Sequence, residues 1–358
     1  MDLEKAQLKE KYQEYIFRKI IFIAFCCLIV LIVAGIAATL GGRDIGFFEV
    51  YKLIYNHLCG VVYPDNSVEW WDDYAVWNIR LPRIIMAIIA GIALAVGGVA
   101  MQSVMNNPLA DPYTTGISSG ACFGAIAALV MGLSVSSVLG QYGIVTNAFL
   151  CGLVPALIII FISRYSNGSP ATMILAGTAI SYVFNAMNTL VLVSSDAEDI
   201  STAYLWQIGS LENAAWIDLP MMFVITLVGS ILIGLSARKL NVLTLGDNSA
   251  KSLGLDAANF RMILLILLSI MTAAIVSYTG IIGFVGLVAP HIVRMVIGAD
   301  NRYLIPASMA FGAALLLSAD VIARVIVSPS SLPVGVIMAF LGGPLFLYLI
   351  LKKKKEVW

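Results

Sequence analysis

The chain has 358 residues, 60% of them hydrophobic and only 12% charged, with 21 basic side chains balancing 21 acidic ones. A soluble domain is nearer half apolar and one quarter charged, so a mean hydropathy of +0.94, with 14 Met, 15 Phe and 30 Gly, excludes a disordered chain, a nucleic-acid binder and an ordinary cytosolic enzyme. A membrane protein is the class that remains: a spanning helix takes roughly 20 apolar residues, and about 215 apolar side chains, 60% of 358, fill around ten spans with little left for an extramembrane domain.

In chain order, a polar, mixed-charge stretch from Met1 to Tyr15 precedes an apolar run with no small-residue cleavage site, which reads as a first helix and not as a removed signal peptide. Apolar runs at roughly 16–40, 82–105, 114–133, 143–163, 172–194, 216–238, 260–279, 281–298, 303–325 and 332–351 predict ten helices in an all-α, polytopic single domain spanning 1–358. The seventh and eighth are separated only by Gly280, Gly283 and Gly286, and Pro290 either opens a helical turn there or kinks one. The longest polar interruptions are an outer loop at 41–81 and a segment at 239–259, with shorter ones at 164–171 and 195–215. Cys26, Cys27, Cys122 and Cys151 fall in apolar stretches and Cys59 in a polar one, so neither a disulfide framework nor metal-ligand spacing follows.

An even number of spans puts both termini on one side. With the N terminus cytoplasmic, the inside segments hold Lys5, Lys9, Lys11, Arg18, Lys19, Arg164, Arg238, Lys239, Lys251, Arg261, Arg294, Arg302 and Lys352 to Lys355, 16 of the 21 basic residues. Outside are Arg43, Lys52, Arg80, Arg83 and Arg324, a split in the direction the positive-inside rule requires. Acids run the other way, with Asp44, Glu49, Asp65, Glu69, Asp72, Asp73, Asp196, Glu198, Asp199 and Glu212 outside.

Within the second run, Ala87, Gly91 and Ala95 recur every four residues among other small side chains, which predicts a closely packed helix at the centre of the bundle. In the fifth run, Thr178, Ser181, Asn185, Asn188, Thr189 and Ser195 fall largely along one face. Two amides at mid-membrane depth need partners or water, so this face either makes interhelical hydrogen bonds or lines a wet pathway for a polar solute. The segment from Tyr204 to Leu211, with Trp206, is too short to span and reads as a half-helix at the outer mouth. Ionisable groups are nearly absent from the interiors of the runs, the exceptions being His291, Asp320 and Arg324 near predicted helix ends; the last two stand four apart and can pair, and His291 has no second ligand at metal spacing.

The alternative from another class is a ten-helix secondary metabolite carrier with five-plus-five inverted repeats, which needs midplane ionisable groups and repeat symmetry, and a membrane enzyme needs a catalytic constellation; neither pattern stands out in the sequence. The Gly-x-x-x-x-Gly-Lys-Ser/Thr loop is also missing, so any ATP-derived energy would have to come from another subunit. The 239–259 segment is the place for such a partner. Within it Asp247 to Leu253 predicts a short helix bracketed by Gly246 and Gly254, with Leu245, Ala250 and Leu253 as its apolar set; a plain surface loop is the alternative.

Several strings resemble the permease subunits of type II ABC importers for ferric siderophores, haem and cobalamin. They are Arg80-Leu-Pro-Arg83; Gly98 with Gln102; Asn107-Pro-Leu-Ala-Asp-Pro112, Gly116 and Gly120-Ala121; Trp206 with Gly209-Ser-Leu211; Leu245-Gly-Asp247 with Ala250 and Leu253-Gly254; Gly283-Phe-Val-Gly-Leu-Val-Ala-Pro-His-Ile-Val-Arg294; and Pro333 with Gly335, Gly342 and Pro344, in the family's order across roughly residues 75–351. Asn248 departs from it where a second acid is common. The resemblance implies two copies of the chain around a shared path, two ATPase subunits below that carry ATP and magnesium, an extracytoplasmic solute-binding protein above, and no chemistry or cofactor in this chain. It further implies that Leu245 to Gly254 is the coupling helix. Arg80, Arg83 and Arg324 would meet acids on the binding protein, the alternative being helix-end anchoring. Ser181, Asn185, Asn188, Thr189 and Trp206 would line the path, and Ser169, Pro170 and Ala171 would belong to the inner gate. The implied cargo is a metal chelate, foremost a ferric siderophore, with haem, cobalamin or an oxyanion as alternatives.

Overall fold

The computed structural model describes residues 2–133, 142–165, 168–327 and 330–352. Among them every regular element is helical: α1 (Asp2–Thr39), α2 (Phe47–Leu58), α3 (Val68–Tyr74), α4 (Leu81–Val104), α5 (Ile117–Leu129), α6 (Tyr142–Tyr165), α7 (Pro170–Val193), α8 (Ala197–Ile208), α9 (Leu219–Leu235), α10 (Ala237–Leu243), α11 (Asp247–Ser252), α12 (Ala257–Thr279), α13 (Val285–Ile297), α14 (Asn301–Val325) and α15 (Val334–Lys352). Among the described residues, 6 helices are long and apolar enough to cross a membrane, or up to 7 if α9 and α10, bent by 60°, form one span. Three shorter apolar helices, α5, α13 and Val334–Tyr348 of α15, coincide with the other expected runs. A 13-residue helix such as α5 or α13 covers about 20 Å of a roughly 30 Å hydrocarbon core, so helix length by itself accounts for six or seven of the ten expected crossings.

Two boundaries differ from the sequence reading. The Met1 to Tyr15 stretch is helical from Asp2 and continuous with the first span, because its Glu, Lys, Gln, Ala and Leu are strong helix formers that extend a helix already nucleated downstream. The 41–81 segment is not a loop: it holds α2 and α3, and α3 runs through a π-helical turn, Ala75–Arg80, into α4 as one 37-residue rod, Val68–Val104. The Arg80-Leu-Pro-Arg83 string therefore lies inside a helix. Pro82 accounts for the widened turn, since its ring has no N–H and crowds the carbonyl four residues back; in the π turn the Leu81 N–H reaches Val76 O instead.

The small residues place α4 at the centre, as its spacing predicts. A Cβ on Gly91 would lie 2.5 Å from Gly312 O in α14, and one on Gly98 would lie 1.9 Å from Gly286 O in α13, so only glycine lets these backbones meet. On the periphery, Lys19 is buried between the rings of Tyr15 and Tyr303, its Nζ 4.1 and 4.4 Å from their centroids, a cation–π clamp that seats α1 against α14. The chain breaks between α12 and α13 at Gly280 (φ +66) and Phe284 (φ 67). Pro290 does not open α13 but sits inside it, in its second turn.

Candidate functional site

Arg80, Arg83 and Arg324 come together at one end of α4, around a cavity of about 450 Å³ that Arg43, Glu212 and Ser331 also line. They are not free surface charges: their exposures are 4%, 5% and 7%. Arg83 Nε donates to Asp320 Oδ1 at 2.8 Å, and Arg324 Nε donates to Asp320 Oδ2 at 2.9 Å. The expected Asp320–Arg324 pair therefore forms, with Arg83 as a third member. Arg80 donates to Ala38 O at 2.9 Å, Thr39 O at 3.0 Å and Arg43 O at 2.5 Å, while Arg324 Nη1 reaches Ala37 O at 3.2 Å. The last carbonyls of α1 lack intrahelical partners and carry the negative end of its dipole, so they suit cations. Helix-end anchoring at a lipid interface is thus replaced by a buried network, in which Arg83 Nη2 has no partner within the described chain.

The polar residues of α7 do share one side, but the edge of the packed interface runs along it. Ser181 and Asn188 turn toward α5 and the 3₁₀ turn that precedes it, Pro112–Thr115, where Asn188 Nδ2 donates to Ser119 O at 3.5 Å and Asn188 Oδ1 is buried with no partner in the described chain. Thr178, Asn185 and Thr189 remain exposed beside Tyr182. The hydroxyls of Thr178, Ser181 and Thr189 bond back to the carbonyls of Ile174, Gly177 and Asn185 at 2.8–2.9 Å, which hides their donors but leaves a polar stripe at membrane depth. Trp206 belongs to α8, a helix that begins at Ala197, earlier than the expected Tyr204. It packs against the buried cluster of Cys122, Ile126 and Ala203, and it lines a cavity of about 400 Å³ with Glu212, Asn213 and Tyr278.

At the other end of α4, α11 forms between Gly246 (φ +90) and Gly254 (φ +79), close to the predicted limits. Ala250 is buried, while Leu245 and Leu253 are 62% and 64% exposed, beside an open groove of about 710 Å³ lined by Asp247, Asn248, Lys251 and Ala258. Asp247 is held by Arg261: Nη1 donates to Asp247 Oδ2 at 2.8 Å and Nη2 to Oδ1. These hydrogen bonds keep the Asp247 carboxyl below the ordinary carboxylate range. Ser169 occupies the N-cap position of α7, Pro170 opens the helix and Ala171 is exposed; of the 164–171 turn, residues 166 and 167 lie outside the described residues.

Sequence reasoning missed three buried polar groups. Arg261, counted only as an inside charge, is 1% exposed in the second turn of α12. Asp111, within the Asn107–Pro112 string, is buried and accepts from Tyr113 N at 2.9 Å. Arg294 Nη2 donates to Gln102 Oε1 at 2.7 Å, and Gln102 Nε2 donates to Gly286 O at 3.4 Å, so strings far apart in sequence meet in space. An isolated cation near the start of an apolar run is the signal that could have singled out Arg261. Among the described residues, no three His, Cys, Asp or Glu side chains group as a metal site.

Comparison with known proteins agrees with this architecture. The hemin transport system permease protein HmuU of Yersinia pestis is 39% identical over 339 residues, 94% of this chain and 97% of that one. The cobalamin import system permease protein BtuC of Halobacterium salinarum is 39% identical over 276 residues, 77% and 73% of the two chains. A solved inward-facing conformation of a metal-chelate type ABC transporter matches with a TM-score of 0.78 at 31% identity, covering 92% of this chain and 98% of that one. Residues 25–352 match the model of the FecCD transport family, and the chain, a multi-pass membrane protein, belongs to that family of ABC transporter permeases.

Proposed function

We propose that this chain is the permease subunit of an ATP-driven, binding-protein-dependent importer whose cargo is a metal chelate, foremost a ferric siderophore. Two copies pack around a shared path, both termini face the cytoplasm, and the membrane is the cytoplasmic (inner) one. The chain itself carries out no chemistry; ATP and magnesium bind to two ATPase subunits that dock on α11. The observation that carries this reading is that two exposed leucines, Leu245 and Leu253, flank a short helix tied to the bundle through Asp247 and Arg261. The exposed Thr178, Asn185 and Thr189 supply a second support, since polar groups at membrane depth call for water or another protein, not lipid.

The arginine cavity suits the carboxylates of an extracytoplasmic solute-binding protein: Arg83 has a buried donor to spare, and bidentate carboxylate recognition is what guanidinium geometry favours. The HmuU and BtuC relatives support haem and cobalamin as alternative cargoes; an oxyanion is the third. Reconstitution with the cognate ATPase and binding protein tests the reading. Leu245→Glu with Leu253→Glu should release the ATPase subunits. Arg83→Lys, which keeps the charge beside Asp320 but removes the guanidinium's spare donor, should weaken binding-protein docking with the folded yield kept, and Asn185→Leu should reduce uptake with assembly intact. Uptake of a ferric hydroxamate above that of hemin and cobalamin is the expected cargo result, and the reverse order reassigns the cargo.

A further inference from the structure

Arg261 is among the largest side chains fully buried in the molecule, yet its guanidinium serves three separate pieces of chain. Two of its nitrogens grip the Asp247 carboxylate at the start of α11. Its Nε donates to the carbonyl of Val104, the last residue of α4, at 2.8 Å. Its Nη1 also lies 3.5 Å from the carbonyl of Gly168, in the turn that leads into Ser169 and α7. A second contact joins that turn to α12 itself: a Cβ on Gly168 (φ +68) would lie 3.0 Å from the Cβ of Ala258 in the first turn of α12. Arg261 is therefore the one hub through which α11, the end of the central helix and the turn before α7 share hydrogen bonds within the described residues.

From this geometry we infer that Arg261 is a positioning residue that relays movement of α11 to the end of α4 and to the turn at 168–171. A planar guanidinium suits the task, because its fork binds the carboxylate on one edge while the remaining N–H groups hold backbone carbonyls. The joint also has one compliant side. Asp247 is 50% exposed on a six-residue helix, whereas Val104 and Arg261 are packed in the bundle, so a pull on α11 acts on the buried side through hydrogen bonds that are costly to leave unmade. The relay rests on the reading of α11 as the ATPase docking helix.

The test uses the transporter purified with its ATPase subunits, in a background with the exposed Cys27 and Cys59 replaced by alanine. A reporter, Ala171→Cys, is alkylated by a membrane-impermeant maleimide with and without magnesium ATP. In the parent, nucleotide should change the alkylation rate by about fivefold or more, the lower range of measured coupling between sites. Arg261→Gln should abolish that dependence while the ATPase subunits still co-purify, and Arg261→Lys, which keeps the charge but not the fork, should recover part of it. Asp247→Asn, at an exposed position, should act as Arg261→Gln does, and covers the case in which the buried variant fails to fold. A merely structural arginine would lower the yield of folded protein and leave the nucleotide dependence of what remains unchanged; that result overturns the relay. So does loss of the ATPase subunits from either variant, or a parent rate that ignores nucleotide. If Leu245→Glu with Leu253→Glu does not release the ATPase subunits, the docking reading falls and the relay with it. If that pair does release them and Arg261→Gln keeps the parent's response, the relay alone falls.

Discussion

The two ends of α4 solve the same problem with opposite emphasis. Each buries arginine against one carboxylate and a set of backbone carbonyls. At the Arg80 end the carboxylate, Asp320, is 0% exposed and its partners stand on long helices, α4 and α14, held together at Gly91 and Gly312. At the α11 end the arginine is buried and the carboxylate, Asp247, is half in water on a helix of six residues. Ion pairs of similar geometry thus make a fixed lock where both partners are desolvated and a compliant joint where one is not, because the penalty for separation depends on what water can replace.

The sharpest way to break the lock is Asp320→Ala. It leaves Arg83 and Arg324 buried side by side without a counter-charge, and loss of one partner of a buried pair costs about 3–5 kcal/mol. Thermal unfolding in detergent should show a much lower midpoint, and a small change would mean that water already reaches the cluster. Arg261→Met should cost less, about 1–3 kcal/mol, because Asp247 returns to water while Val104 O is left buried without its donor. Hydrogen exchange should quicken at residues 247–255 and at the end of α4.

A smaller effect at the α11 end is read by pH. The Asp247 carboxyl is held below its ordinary value by hydrogen bonds from Arg261, so its contribution is present above the unfolded value of about 4 and is lost as pH falls through the lower folded value. Half exposure keeps this below about 1 kcal/mol. Exchange protection of α11 should fall on acidification in the parent and respond less in Asp247→Asn. The smallest effect belongs to Arg43, 42% exposed and paired with Asp72: Arg43→Ala should change stability by about 0–1 kcal/mol, and a larger loss would make Arg43 part of the lock.

Legibility from sequence followed the range of the interactions involved. The central place of α4 was readable because small residues four apart lie on one helix face, and α11 because glycines bracket a short amphipathic turn. The 41–81 segment was misread because a proline normally marks a helix start, and the π turn that accommodates Pro82 has no pattern of its own. On α7 the periodicity placed the polar residues on one side of the helix, but whether Asn185 or Asn188 is buried depends on where α5 lies, which periodicity does not encode. Sorting charges by side brought Arg80, Arg83 and Arg324 to one end, yet it treated them as surface charges.

By itself, then, the sequence determined the all-helical membrane class, the places of the apolar segments, the ordered family strings and the bracketed helix at 247–252. These are local properties, carried by composition and by spacing within a few turns. Only the tertiary structure decided which charges are buried and with whom. The contacts that matter join Arg83 to Asp320, Arg324 to Ala37 and Arg261 to Val104 across 237, 287 and 157 residues. Pairings at such separations are set by which helix faces pack together.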